Sequence, residues 1–191
     1  MLTLRSLLFT AWLYLSMPLF AIGLSPALLM PHRYAMGVVK AWARTVLFGL
    51  RWIAGVKVEF RGLEHAPSGA ALVASKHQGM LDVIAPFAFL DDNCFIMKKE
   101  LMPLPFFGWF AWKTKMIAVD RAGHAKALKD MTRQARARLD EGRAVGMLVD
   151  QKFQKGIQSL FFGRPCLTNP LLPKLARQFD AEVYPARCVR L

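Results

Sequence analysis

Cysteine is scarce: Cys94, Cys166 and Cys188 are the three in 191 residues, and no two stand in a Cys-x-x-Cys spacing. An odd, scattered set excludes a disulfide framework and argues against a zinc site, and it suits a reducing compartment. Acidic residues are few as well, 13 Asp and Glu against 26 Lys and Arg, which leaves a net charge of +13. Such a chain calls for a polyanionic partner. No internal repeat or low-complexity tract is present, so a solenoid or a disordered tail is excluded. From Ser6 to Pro31 there is no Asp, Glu, Lys or Arg, and a run of that length reaches the ~20 residues needed to cross the hydrocarbon core. Pro18, Gly23 and Pro26 interrupt it, so a straight crossing and a kinked or re-entrant insertion both fit. A secretory signal starting at Arg5 fits less well, because the stretch is long and no convincing small-x-small cleavage site follows it.

What is abundant is apolar: 54% of residues, with 14 Phe, 10 Met and 5 Trp, and a mean hydropathy of +0.28. A soluble nucleic-acid binder has no use for so much exposed or buried grease, so the expected polyanion is an anionic phospholipid membrane and not nucleic acid. Between Arg33 and Ala54, Arg33, Lys40, Arg44 and Arg51 are interleaved with Val38, Trp42, Val46, Leu50 and Trp52. That pattern predicts a basic interfacial helix, or alternatively a core helix with a solvated basic face. Cations beside an apolar insertion favour the cytoplasmic side of a membrane. Residues 1–54 therefore read as a membrane segment and basic helix, and residues 55–191 as one globular domain.

In that domain the alternation of Val56, Val58 and Phe60 with charged residues predicts a strand. Further strands are expected at Ala70–Ser75, Cys94–Met97, Met116–Val119, Val145–Val149 and Glu182–Pro185. Helices are expected at Leu81–Leu90, at His124–Gly142 with an apolar stripe of Leu128, Met131, Ala135 and Leu139, and at Pro173–Phe179. Strands alternating with helices imply an α/β fold, a mixed sheet covered by helices.

The segment richest in chemistry is Ser75-Lys76-His77-Gln78-Gly79-Met80-Leu81-Asp82, at the junction of a buried strand and the next helix. Loops at the carboxyl ends of such strands are where α/β folds build sites. With Gly79 permitting a tight turn, Asp82 can return to one imidazole nitrogen and leave the other as a base. A capped loop is the alternative reading of the same two residues. His32, His65 and His124 are expected at the surface, and Phe106, Phe107, Trp109, Phe110 and Trp112 form either core, the wall of an apolar channel or a membrane-facing flap.

His77 and Asp82 match the His-x4-Asp signature of the glycerolipid acyltransferases. Phe95-Ile96-Met97-Lys98-Lys99-Glu100-Leu101, Pro105-Phe106-Phe107-Gly108-Trp109, Val119-Asp120-Arg121 and Val183-Tyr184-Pro185-Ala186 resemble further blocks of that family in order and spacing. The chain is similar to the bacterial 1-acyl-sn-glycerol-3-phosphate acyltransferases up to about Leu148. After that strand, where the family has Phe-Pro-Glu-Gly-Thr-Arg, stand Leu148-Val149-Asp150-Gln151-Lys152-Phe153, then Phe161-Phe162-Gly163-Arg164-Pro165. These resemble instead the lauroyl and myristoyl acyltransferases of lipid A synthesis.

The resemblance implies direct acyl transfer without a cofactor or a metal, the donor being a thioester of acyl carrier protein or coenzyme A. His77 would be the base and Asp82 its orienting acid. The acceptor implied is lysophosphatidate, its phosphate held by Arg121, with Lys152, Lys155 or Arg164 as the second cation and Asp150 as a polar site residue or a turn cap. The place implied is the cytoplasmic face of a bacterial inner membrane. A lipid A secondary acyltransferase and a non-catalytic acyl-chain or carrier-binding module are the alternatives. Both families run on beyond the block ending near Ala186, so the domain reads as abbreviated or as a fragment.

Overall fold

Residues 2–120, 124–150 and 156–189 are described by the computed structural model of the chain, with only the backbone of residues 124 and 125. Its strands are β1 (Ala71–Ser75), β2 (Asn93–Lys98), β3 (Ile117–Val119), β4 (Ala144–Leu148), β5 (Ile157–Phe161), β6 (Arg164–Thr168) and β7 (Val183–Ala186). Five of them form one sheet in the order β3-β2-β4-β1-β7, and all its pairs are parallel. Among the described residues antiparallel pairing is confined to the separate β5–β6 hairpin. The interior strand β1 is buried at every position, which is why it reads as a continuous apolar run with no polar alternation.

On one face Leu72, Cys94, Val145 and Met147 pack against Met131, Ala135 and Leu139 of α6 (His124–Asp140) and Leu175 of α7 (Leu171–Phe179). Leu128, expected in the same stripe, stays 40% exposed, so the contact with the sheet begins one turn later. The other face is covered by short helices α3 (Leu81–Ile84), α4 (Pro86–Phe89) and α5 (Phe107–Lys113) and by an N-terminal pair, α1 (Leu2–Gly23) and α2 (His32–Gly49). The α/β expectation thus holds, with helices on both faces.

Two local expectations fail for physical reasons. Residues 56–60 pair with neither sheet. Alternation specifies a face, but a strand also needs an open edge within reach; here the Val56 N–H goes to the Leu50 carbonyl at 3.0 Å and the Phe60 ring packs on Phe89 at 5.3 Å. The helix expected over Leu81–Leu90 is broken into α3 and α4 at Pro86, which has no N–H to donate. The β5–β6 hairpin was not anticipated. Its turn residues Phe162 and Gly163 have φ of 51° and 72°, the doubly left-handed backbone that a two-residue hairpin turn requires.

α1 runs through Pro18 without ending, stops at Gly23, and the chain returns through a short turn at Ser25–Leu28. The two helices are antiparallel: Arg5 Nε donates to the Ile53 carbonyl at 2.8 Å, Trp12 Nε1 to that of Thr45 at 3.1 Å, and Trp42 Nε1 to Ser16 Oγ at 3.1 Å. Gly49 is required here, since a Cβ would lie 2.3 Å from the Trp12 ring. α2 is clamped to the domain along its other side. His32 Nε2 meets Asp92 Oδ2 at 2.9 Å, Lys40 donates to the Asp91 carbonyl at 3.3 Å and Arg44 approaches that of Ala88 at 3.4 Å. His32 is therefore a half-buried strap and not the surface residue expected. Its partner Asp92 also takes Arg143 Nε at 2.9 Å, which joins the helical pair to the sheet's amino end. α2 descends past α4 toward Ile84, so its last turn and the start of α1 lie toward the carboxyl end of the sheet.

Candidate active site

Ser75, the last residue of β1, pairs with Leu148 of β4 on one side and Ala186 of β7 on the other. The ladders continue beyond: the Lys76 N–H donates to the Ala186 carbonyl at 3.0 Å, and the Val149 N–H to that of Ser75 at 3.1 Å. Two residues past each strand end stand His77, Asp150 and Cys188, at one level with His77 in the middle. From β1 the chain passes to α3 on one face, whereas from β4 it leads on to α7 on the other. Adjacent strands whose connections part in this way open a crevice at their carboxyl ends.

His77 Nδ1 lies 3.4 Å from Asp82 Oδ2. The same oxygen accepts the backbone N–H groups of Gln78 and of Gly79, the latter at 2.7 Å. Asp82 sits in the first turn of α3 with its side chain only 3% exposed, while that of His77 is 36% exposed. Burial pushes the Asp82 carboxyl up, but hydrogen bonds from the Cys188 thiol, the Gly79 and Gln78 amides and His77 outweigh it and hold the group below its ordinary value. It is therefore an anion at neutral pH. A proton on Nδ1 faces that anion and leaves the lone pair of Nε2 for an incoming hydroxyl.

Asp150 Oδ1 accepts the backbone N–H of His77 at 2.9 Å. One of its oxygens is thus spent on holding the histidine's loop. Arg164 opens β6 and is exposed. Arg121, Lys152 and Lys155 lie outside the described residues. Asp120, next to Arg121, has Lys99 Nζ 3.8 Å away. Among the described residues no group of three or more His, Cys, Asp or Glu is gathered to hold a metal ion.

A family model described as Acyltransferase matches residues 57–154, just over half of the chain, and spans both His77 and Asp82. The chain belongs to the acyltransferase family. The 1-acyl-sn-glycerol-3-phosphate acyltransferase of Pseudomonas aeruginosa is 34% identical to it over 143 residues, 72% of this chain and 54% of that protein. The enzyme of the same name from Helicobacter pylori is 33% identical over 90 residues, 47% of this chain and 38% of its own length. The chain spans about half or less of the length of the curated relatives it matches. The crystal structure of the 1-acyl-sn-glycerophosphate acyltransferase of Thermotoga maritima superposes on 95% of the chain and 73% of its own, with a TM-score of 0.67 at 19% identity. That likeness establishes a shared fold.

The aromatic segment is split between core and surface. Phe110 is buried with Ala21 and Ala35 of the helical pair. Trp109 and Trp112 are exposed and, with Leu28, Met102 and Gly108, line an apolar cavity of about 320 Å³. None of these lining residues belongs to the His77 loop. Sequence reasoning passed over the Asp150 contact with the His77 amide and the placement of Cys188. Both depend on the parallel register of β1 with β4 and β7 and on strand ends at Ser75, Leu148 and Ala186, which only the folded sheet displays.

Proposed function

We propose that the chain transfers a fatty acyl group from a thioester of acyl carrier protein or coenzyme A to the sn-2 hydroxyl of 1-acyl-sn-glycerol 3-phosphate, forming phosphatidate. The observation that carries this reading is the His77–Asp82 pair at the carboxyl end of a parallel sheet, with the carboxylate buried and the imidazole open. The names of the two bacterial relatives support the acceptor. The acceptor oxygen attacks the thioester carbonyl carbon as His77 Nε2 takes its proton. The tetrahedral adduct collapses, the C–S bond breaks, and the departing thiolate takes the proton back from Nε2. A positioned base of this kind contributes ~10²–10⁴-fold. The acceptor's phosphate monoester suits a bidentate cation, for which Arg121 is the nominee, with Lys152 or Arg164 beside it.

The same reading puts the reaction at a bilayer, on the cytoplasmic face of a bacterial inner membrane. By length and composition α1 is able to cross one, and only 17% of its most apolar window is buried. Leu4, Leu7, Leu8, Leu15, Leu19 and Ile22 face outward. Because α1 packs on α2 along its length, and α2 is tied to the domain through His32 and Lys40, a full crossing would strip α1 from its partner. Insertion into one leaflet keeps those contacts. Leu160, Phe161 and Phe162, all strongly exposed on the β5–β6 hairpin, provide further apolar surface, and the net charge of +13 suits anionic headgroups.

A lipid A acceptor is the second reading, favoured by Asp150 in place of the glycerolipid glutamate and by the Phe161-Phe162-Gly163 turn. Membranes containing the chain, given a labelled acyl donor with lysophosphatidate or a lipid A precursor in separate reactions, decide between them. Labelled phosphatidate supports the first and acylated lipid A the second. Turnover of neither leaves a binding module.

A further inference from the structure

We propose that the tip of the β5–β6 hairpin inserts shallowly into the bilayer, as a second attachment separate from α1. The inference rests on the membrane reading above and uses no step of the chemistry. The hairpin's strands pair only with each other, and among the described residues none of its side chains joins the packed apolar clusters of the domain. A two-stranded ribbon is marginal in water by itself. Yet Ile157, Leu160, Phe161 and Leu167 are more than half exposed, and Phe162 at the turn is 90% exposed. The turn adds an independent observation. Phe162 and Gly163 have φ of 51° and 72°, and asparagine is the usual first residue of such a turn. A phenylalanine there strains the backbone, while its ring meets that of Phe161 edge-on at 4.7 Å. Strain kept in place to hold an aromatic ring outside the core points to a role other than folding.

The distribution of the apolar groups selects lipid as the occupant. The strand register places Ile157 and Phe161 on one face of the ribbon and Leu160 and Leu167 on the other. A protein surface covers one face and leaves the other wet. Even at the ~150–250 Å² of an aromatic ring apiece, two side chains fall well short of the ~800 Å² per partner of a stable interface. A bilayer surrounds a wedge on both faces and at its tip. Edge pairing with a second copy is opposed by Pro165, whose place opposite Leu160 puts the missing N–H on the outer edge of β6. Arg164, across from Phe161 and exposed, supplies a cation for lipid phosphates. The other outer-edge N–H and C=O groups have no partner in hydrocarbon, so the turn enters and the strands stay among the headgroups. With α1 on the α3 side of the crevice and the hairpin in the connection toward α7, two attachments turn the carboxyl end of the sheet to the membrane.

The experiment uses the full chain in vesicles of phosphatidylethanolamine and phosphatidylglycerol, with Cys166→Ser and Cys188→Ser leaving only the buried Cys94. A fluorophore is attached through Phe162→Cys, Gln158→Cys or Leu15→Cys. At the turn position, emission is expected to be quenched by lipids carrying a nitroxide near the headgroup, less by lipids carrying it at the chain end, and to be shielded from aqueous iodide. At the Gln158 position, nearer the base of the hairpin, iodide is expected to quench. Equal iodide access at the two positions would overturn the proposal. So would shielding of the turn without lipid quenching, which means cover by protein, a second copy if the shielding disappears at one chain per vesicle. The Leu15 probe separates the readings: lipid quenching there but not at the turn rejects the hairpin alone, and quenching at neither rejects the bilayer reading with it. No arm requires turnover.

Phe162→Asn gives the turn its preferred Asn-Gly sequence. It is expected to leave the urea midpoint unchanged or raised. In a chain whose α1 carries Leu8→Lys and Leu15→Lys, it is also expected to weaken low-salt binding to the same vesicles at least about tenfold, the lower end for an apolar side chain withdrawn from a buried setting. Unchanged affinity rejects the insertion, and so does a lowered urea midpoint, which would make the ring part of the fold.

Discussion

Asp150 Oδ1 accepts the backbone N–H of His77 at 2.9 Å, tying the loop that follows β4 to the loop that follows β1. The contact crosses the crevice and sets the height of the imidazole above the sheet. Asp150→Ala leaves that amide to solvent. A lost bond to a charged acceptor costs about 1.5–3 kcal/mol, so kcat is expected to fall roughly 10- to 150-fold. Asp150→Asn keeps an acceptor and loses less. If the substitution instead raised KM for lysophosphatidate with kcat intact, Asp150 would be a substrate ligand.

Asp82 links the site to acid stability. Its folded-state pKa lies below the ordinary value, so its contribution is fully present above about pH 4 and is lost as pH falls through the folded value. Urea midpoints measured against pH should show intact chain and Asp82→Asn differing at neutral pH and converging below about pH 4. Glu141, held low despite burial by Lys115 and Arg138, gives both proteins a common acid lability. A gap between the two that persists at low pH would mean that the substitution acts through packing and not through charge.

Attachment to membranes is tested on the outward face of α1. Leu8 and Leu15 are seven residues apart and both more than half exposed. A lysine at the centre of a bilayer-inserted helix costs about 2.5–3.5 kcal/mol, so Leu8→Lys with Leu15→Lys should release the chain from vesicles into a high-salt wash. The unaltered chain should resist that wash, because salt screens charges beyond ~10 Å at 0.1 M but leaves apolar burial intact. Release of the unaltered chain by salt would remove the insertion. Deleting α1 is a poorer test, since it uncovers Leu13's partners Met36, Ala43 and Val46.

Much of this was legible in the sequence, and the rest was not for definite reasons. Buried parallel strands such as Ala71–Ser75 announce themselves by unbroken apolarity, and His77 by its place between such a strand and a helix. Pairing is a property of two segments, so residues 56–60 read as a strand for want of knowing that no edge reaches them. Long-range polar contacts are hidden for the same reason: His32 with Asp92, 60 residues apart, has no local signature. The β5–β6 turn was missed because Phe162 carries a left-handed backbone usually left to asparagine or glycine.

Arg121→Lys keeps a charge and loses the planar fork. If Arg121 clamps the phosphate, acceptor efficiency should fall roughly 10- to 150-fold with little change in donor dependence. A phosphate-free lysolipid should be a poor acceptor from the start and indifferent to the substitution. Equal impairment of both acceptors would make the arginine structural.

His77, oriented by Asp82, is the base we propose for direct acyl transfer. The measurement is phosphatidate formed from lysophosphatidate and a labelled acyl thioester by vesicles bearing the intact chain, Asp82→Asn or His77→Ala, each verified as folded and membrane-bound. Intact chain should turn over, Asp82→Asn should be slowed by orders of magnitude, and His77→Ala should form no phosphatidate above the vesicle background. Near-normal turnover by His77→Ala would contradict the account.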